Sequence, residues 1–595
     1  MSFRTSLQGY FRRRDRGWIL SLFAAVCLVY LPFLGNPFVF DDLNFFSGDV
    51  PKVYAHALFQ FNLRWLPYAS LGWTAALFSD AVPHFFHLGN ALLHAANVIL
   101  LFYLLRLLTG AIIADHENSR ALVWGAWLGA LAFACHPVAV YAVGYVIQRS
   151  ILMATLFALL MQLAYARGLL TGQKRWLALA VLAYFLACFS KEHSVMMPAV
   201  LGALTILLRS QNRADAHALW ATWGAFAAIG LFVVLRTKGV FGTPYEAMAA
   251  ALFEQQGIVE STPVLHLLSA LTQAGLFFKY LLLWLLPNPT WMSVDMREPF
   301  VASLTAWQGW LGAAGFIAYG ALGIWLLLRP RWLGLAGLAL LYPWLQFVVE
   351  FSSIRVQEPF VLYRSYLWLP GMMLFFPLML TKLPSTSQNN YKKPFGLTLR
   401  LRSGLKALSK AGNDKVAGGS TSSPRTVTVL TERSTRTLLM LGFMALLLVP
   451  LAWNRLGTFS NNYRLWNDAA RLLRSDSAPG ADRIFYNRGQ VLAAGHKWEE
   501  AIADYKRTVA LSPQLAPVRY ALGMAYVNAR HYHEAIAQFD AEIAIKQDDA
   551  RAYYGKGLAL MGLHEGAQAL QQMRRGCELE SEMACTMMAW SQNKK

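Results

Sequence analysis

The sequence is poor in charge, in cysteine and in acid. Only 14% of its 595 residues are Asp, Glu, Lys or Arg, against about 25% in soluble domains. An ordinary soluble enzyme and a disordered chain are both excluded. Five cysteines in a chain this long exclude a disulfide-dense scaffold. No CxxC or Cys/His cluster offers zinc its usual spacing. Cys27, Cys135 and Cys188 lie in apolar runs, as packing residues, whereas Cys577 and Cys585 sit close together and can pair in an oxidising compartment. Acids number 33 against 53 Lys and Arg, for a net charge of +20. Such an excess would suit nucleic acid only if it lay on a soluble face, and it does not.

What the chain has in quantity is apolar length. Hydrophobic residues make up 56%, and the mean hydropathy is +0.36. Apolar runs recur at 18–34, 86–106, 122–141, 150–168, 176–191, 194–209, 217–235, 264–286, 308–328, 332–350, 366–381 and 437–454. They predict an all-α, polytopic membrane body of about 11–13 spans. Arg12, Arg13 and Arg14 place the N-terminus in the cytoplasm, and Arg167, Lys174, Arg175, Arg209, Arg213, Arg329 and Arg331 mark the same side. Segment 264–286 breaks this alternation, so it is predicted to be a broken or re-entrant element, with an ordinary crossing as the alternative. Residues 382–436 are rich in Ser, Thr, Gly and Asn and strongly basic, as in a flexible cytoplasmic loop drawn to anionic membrane lipids. The basic excess thus has a lipid partner and no nucleic-acid one.

The C-terminal part repeats. Gly489, Gly523 and Gly557 are 34 apart, as are Ala501, Ala535 and Ala569, and Tyr505, Phe539 and Met573. This is the tetratricopeptide (TPR) period, in which each unit is a helical hairpin and stacked hairpins share a core. The predicted division is a membrane body at 1–456, with a first external loop at 35–84, and a repeat α-solenoid at 457–595. Val53–Gln60 and Leu63–Phe78 read as interfacial helices in that loop, and Ser581–Trp590 as a capping helix.

Ionisable residues gather at span ends on the outer side. Asp41 and Asp42 follow the first span, flanked by apolar residues, and like charges so close raise one carboxyl toward general-base use. A helix cap is the plain alternative. His87, Asn90 and His94 share one helical face, suited to interhelical hydrogen bonds. His136, Arg149, Lys191, Glu192 and Arg364 lie at the ends of later spans on the same side. Charges at membrane depth are functional candidates by default, and several cations together suit a phosphate. No metal motif is present, and a carboxylate-bound divalent cation is left open.

These motifs in this order resemble the membrane O-mannosyltransferases that combine transmembrane spans with tetratricopeptide repeats, and their bacterial relatives in the C-type (GT-C) glycosyltransferase superfamily. The resemblance rests on Phe40-Asp41-Asp42, Arg64, His87 to His94, His136-Pro137-Val138, Arg149, Ser190-Lys191-Glu192, Tyr363 to Leu367 and the repeats. It implies a glycosyltransferase using a polyprenyl-phosphate-linked sugar donor outside the cytoplasm, with inversion. By that analogy Asp42, with Asp41 as the alternative, is the base. Arg149, Lys191 and Arg364 would stabilise the lipid phosphate, Glu192 would orient Lys191 or a sugar hydroxyl, and Arg64, His87 and His136 would shape the pocket. The repeats would hold a protein acceptor, a pilin or another envelope protein, in a groove including Tyr486, Asn487, Tyr520 and Tyr553. The implied location is the bacterial inner membrane, with the repeats periplasmic. Gln148-Arg149 replaces the family's usual Gly-Arg, and Tyr363 stands where an acid is common, which leaves the donor sugar open. A flippase for a polyprenyl-linked sugar and a non-catalytic envelope scaffold are the competing readings.

Overall fold

The computed structural model describes residues 15–56, 62–78, 82–113, 119–237, 253, 257–258, 260–356, 358–381, 432–476 and 478–592. The N-terminal arginine run, the end of the expected 53–60 helix and most of the basic 382–436 segment lie outside them.

The protein is all-α. Its principal helices are α1 (Arg16–Tyr30), α2 (Asp41–Phe45), α3 (Trp65–Phe78), α4 (Pro83–Ile113), α5 (Ser119–Cys135), α6 (Arg149–Thr171), α7 (Lys174–Ser190), α8 (Met197–Leu207), α9 (Ala216–Arg236), α10 (Thr262–Leu285), α11 (Trp307–Leu327) and α12 (Trp332–Phe347). After the 382–431 segment come α13 (Glu432–Thr458), α14 (Asn462–Arg471), α15 (Ala481–Ala494), α16 (Trp498–Leu511), α17 (Ala516–Asn528), α18 (Tyr532–Ile545), α19 (Ala550–Gly562), α20 (Gly566–Glu578) and α21 (Glu582–Gln592). Among the described residues the only β feature is one isolated bridge, Met296 to Phe360.

Among those residues seven helices are long and apolar enough to cross a membrane, or up to nine if each of two bent pairs is one span. Fewer full-length crossings form than the apolar runs suggest. The run through 176–209 is cut where Lys191 leaves helical geometry (φ −154°, ψ 124°), and Leu369–Leu380 is a short apolar helix begun at Pro370 and Gly371. The interior is held partly by polar side chains. His87, Asn90, His94 and Asn97 form a buried stripe along α4. His94 bonds Tyr366 Oη at 2.6 Å and the Ala134 carbonyl at 3.1 Å, and Asn97 donates to the Leu152 carbonyl at 3.0 Å. Buried side chains of this kind persist because each finds a partner.

One expectation needs correction. Segment 264–286 is neither broken nor re-entrant, because α10 is one unbroken helix of 24 residues. Its two ends meet the same face of the body. His266 lies 2.6 Å from the Phe351 carbonyl, just past α12, and the Trp284 carbonyl lies 3.1 Å from His136, just past α5. The helix therefore runs along that face. Arg329 falls beside Arg209, whose guanidinium donates to the Leu328 carbonyl, so the basic clusters share the opposite end.

The repeats stack as three hairpins, α15/α16, α17/α18 and α19/α20, closed by α21. The 34-residue pattern has a steric cause. A Cβ at Gly489, Gly523 or Gly557 would come within 2.7, 2.7 or 2.8 Å of Tyr505, Phe539 or Met573 respectively. The small residue on the first helix makes room for the large one on the second. His496, Arg530 and His564 (φ 58°, 65° and 63°) turn each hairpin at the same register. Cys577 and Cys585 form a disulfide that ties α20 to α21. One position departs from the pattern: Thr508, Glu542 and Gly576 are in register, so a fully buried carboxylate replaces a hydroxyl or no side chain.

Candidate functional site

The loop after α1 delivers both aspartates to one end of the apolar body. Phe40 sits at φ 51°, ψ −117°, a backbone state that costs a non-glycine residue on the order of 1–3 kcal/mol. Its ring is held by Tyr145 and Trp466, with Arg483 stacked 5.3 Å from its centroid. This kink separates the fates of the next two residues. Asp42 is fully buried. It accepts from the Ile147 N–H at 2.7 Å and the Val39 N–H at 3.2 Å, and burial pushes its carboxyl up to about 7. Asp41 remains exposed, its backbone N–H donating to Tyr145 Oη at 3.0 Å. Surrounding protein, and Glu358 nearby, raise its carboxyl above the ordinary range, against a lowering by the Tyr145 hydroxyl and Arg483.

Asp41 lines a cavity of about 220 Å³ together with Arg64, Lys191, Glu192, Arg355 and Arg364. Lys191 is buried, with its ammonium 3.3 Å from Gln148 Oε1, 3.5 Å from Ser150 Oγ and 5.0 Å from the Tyr363 ring centroid. Burial, reinforced by Arg64, lowers its amine to about 7. Arg64, also at positive φ (65°), is paired through both carboxylate oxygens with Glu192. Arg364 donates to Glu350 at 3.1 Å, and Arg355 reaches the same carboxylate at 2.9 Å. His193 stands between Glu192 and Glu350 at 3.6 and 3.4 Å.

Thus Asp41, Arg64, Lys191, Glu192 and Arg364 come together, and Asp42, Arg149, His87 and His136 do not join them. Arg149 is buried and held by four hydrogen bonds. It donates to Asn90 Oδ1 at 2.9 Å, the Ser70 carbonyl at 3.2 Å, Thr74 Oγ1 at 3.0 Å and the Phe86 carbonyl at 2.9 Å. Four of its five N–H donors are thus spent on neutral acceptors of the body, and it does not line the cavity. His87 is buried against the Asn36 carbonyl, 2.9 Å away. His136 caps the turn at Val138 and stacks on Trp284. Both histidines fix loops beneath the site. The sequence reading also missed Glu350, Arg355 and Glu358. Glu350 carried a usable signal, as a lone acid closing an apolar run. Among the described residues no group of three or more His, Cys, Asp or Glu side chains is disposed to hold a metal.

On the repeats, Tyr486 and Tyr520 are partly buried on the first helices of their hairpins, and Asn487 donates back to the Arg483 carbonyl. Tyr553 is a correction by one position. It lies against Gly576 of its own hairpin and bonds the Gln547 carbonyl, and Tyr554 is the residue in register with Tyr486 and Tyr520. Arg551 stacks over Tyr520 at 5.2 Å.

No family model matches the chain. It shows weak homology to the human protein O-mannosyl-transferase TMTC4, with 24% identity over 253 residues, 42% of this chain and 31% of that protein. The chain therefore matches about a third of that relative's length. Among solved structures it is similar to YrrB, a TPR protein with an unusual peptide-binding site (20% identity, 27% of this chain, 85% of that chain, TM-score 0.20). It is also similar to the APC/C hetero-tetramer Cut9–Hcn1 (12% identity, 91% of this chain, 92% of that chain, TM-score 0.20). At these TM-scores neither superposition defines a shared fold.

Proposed function

We propose that this chain is a GT-C membrane glycosyltransferase. It moves a sugar from a polyprenyl-phosphate-linked donor to a hydroxyl of an exported protein, such as a pilin or other envelope protein. The reaction takes place on the periplasmic face of a bacterial inner membrane. Residues 1–456 form the transferase body and residues 457–595 hold the acceptor. The observation that carries this reading is the accessible Asp41 carboxylate sharing one cavity with Lys191, Arg64, Arg355 and Arg364 at one face of an apolar body. The weak homology to a protein O-mannosyl-transferase supports the same class.

In this mechanism Asp41 takes the proton of the acceptor hydroxyl. The hydroxyl oxygen attacks the anomeric carbon from the side opposite the phosphate, and the sugar–phosphate C–O bond breaks. The lipid phosphate leaves with the electron pair and is met by Lys191 and Arg364. The preference for a base thereby moves from Asp42 to Asp41, since both Asp42 oxygens already serve backbone N–H groups.

The test is glycan mass on envelope proteins from a deletion strain carrying wild-type or variant protein. Wild type restores the lost mass, and Asp41→Asn is expected to fall by about 10²-fold or more. An Asp41→Asn protein that restores it fully overturns the assigned base.

A further inference from the structure

The repeat array does not hang free of the cavity. Arg483, in the first turn of α15, donates through Nε to Asp295 Oδ2 and through Nη1 to Glu358 Oε1, both at 2.8 Å. Glu358 lines the cavity. Its second oxygen stands 3.7 Å from Arg364 Nη2, an ion pair too long for a hydrogen bond. Arg364 keeps a single short carboxylate partner, Glu350 at 3.1 Å, and a 3.3 Å bond to the Glu358 carbonyl. One carboxylate thus lies between two guanidiniums, one from the repeats and one from the cavity wall, and the repeat guanidinium has the closer hold. Asp295 does not depend on Arg483, because Arg297 pairs with it at 2.7 Å. Against the wall, therefore, the consequence of Arg483 falls chiefly on Glu358.

We infer that Arg483 is a positioning residue of the membrane-body site: by holding the Glu358 carboxylate it keeps Arg364 open to the phosphate of a polyprenyl lipid. This rests on the donor class proposed above. Among the described residues Arg364 is the other cation acting on Glu358, and without Arg483 the carboxylate closes onto it. A guanidinium paired with two carboxylates has little charge left for an anion. The repeats would then complete the donor site as well as bind the acceptor, so that a body stripped of its repeats would bind donor poorly.

The experiment measures binding of undecaprenyl monophosphate to the purified full-length protein in detergent, for Arg483→Ala, Glu358→Gln and the double variant. Arg483→Ala is expected to weaken binding about tenfold or more. Glu358→Gln is expected to bind at least as tightly as wild type, since the competing charge is gone. The double variant is expected to lie within about threefold of Glu358→Gln, because the effect of Arg483 passes through that carboxylate. Asp295→Asn, which spares the Arg483–Glu358 pair, is expected to match wild type within the same margin. Unchanged binding by Arg483→Ala overturns the inference. So does a loss that Glu358→Gln does not rescue, which would mean that Arg483 only docks the repeats. A wild-type protein that fails to bind the lipid overturns the donor class itself.

Discussion

Asp41 and Asp42 share a sequence environment and have opposite surroundings. The turn at Phe40 aims one into the cavity and the other at the Ile147 and Val39 N–H groups. Sequence could mark the pair, since two acids among apolar residues are unusual. It could not divide their roles, because the division is made by a backbone state that nothing in the local composition dictates. Arg149 illustrates the same limit, since its four acceptors all come from α3 and α4, far from it along the chain. Lys191 yields a prediction at this scale. A lysine whose amine is lowered to about 7 is charged below that pH and neutral above it. Affinity for undecaprenyl monophosphate is expected to fall as pH rises from 6 to 9, by about tenfold, and Lys191→Met is expected to flatten the curve. An unchanged slope in that variant would show that another group titrates.

The elements were more legible than the residues. The 34-residue period placed every hairpin, because the contacts it encodes, a glycine against a large side chain, are local and recur at one register. α10 was misread as broken because the charge alternation told only that 264–286 does not fit as a simple crossing, and an unbroken helix lying along one face satisfies the same alternation. The repeat array also contains a testable exception. Glu542 is buried on α18, and burial together with Asp549 pushes its carboxyl up to about 8. Between the ordinary value near ~4.3 and that pH, the folded array keeps a proton that the unfolded chain has lost. Stability therefore falls as pH rises through this window and is lowest above it. Glu542→Gln is expected to remove the slope and to raise the repeat melting transition at pH 9 by about 5 °C, measured on the full-length protein in detergent. Equal pH slopes in both proteins would exclude Glu542 as the source.

On the scale of the whole molecule, the apolar body and the helical repeats form one working surface. α13 and α14 meet at 111°, and Arg455 braces the corner by donating to the Met292 carbonyl at 2.7 Å and to Asp468 at 3.1 Å. The bend turns the chain out of the apolar body and lays the first repeat helix against the cavity wall. None of this was legible from sequence, because Arg483, Asp295 and Glu358 are far apart along the chain and none belongs to a recognisable motif.

A sharply bent, braced corner is also a ruler. A flexible linker would let a captured polypeptide offer any of its hydroxyls to Asp41, at an effective concentration that decays slowly with distance. A fixed corner sets the span from groove to carboxylate, and extended polypeptide covers only about 3.3–3.6 Å per residue. On an acceptor held by the repeats, the modified Ser or Thr would then lie at a set number of residues from the docked segment. Inserting four residues between the two is expected to move the glycan to a hydroxyl nearer the docked segment, as read by peptide mass spectrometry. A glycan that stays on its original residue would mean that the acceptor is measured by its own fold.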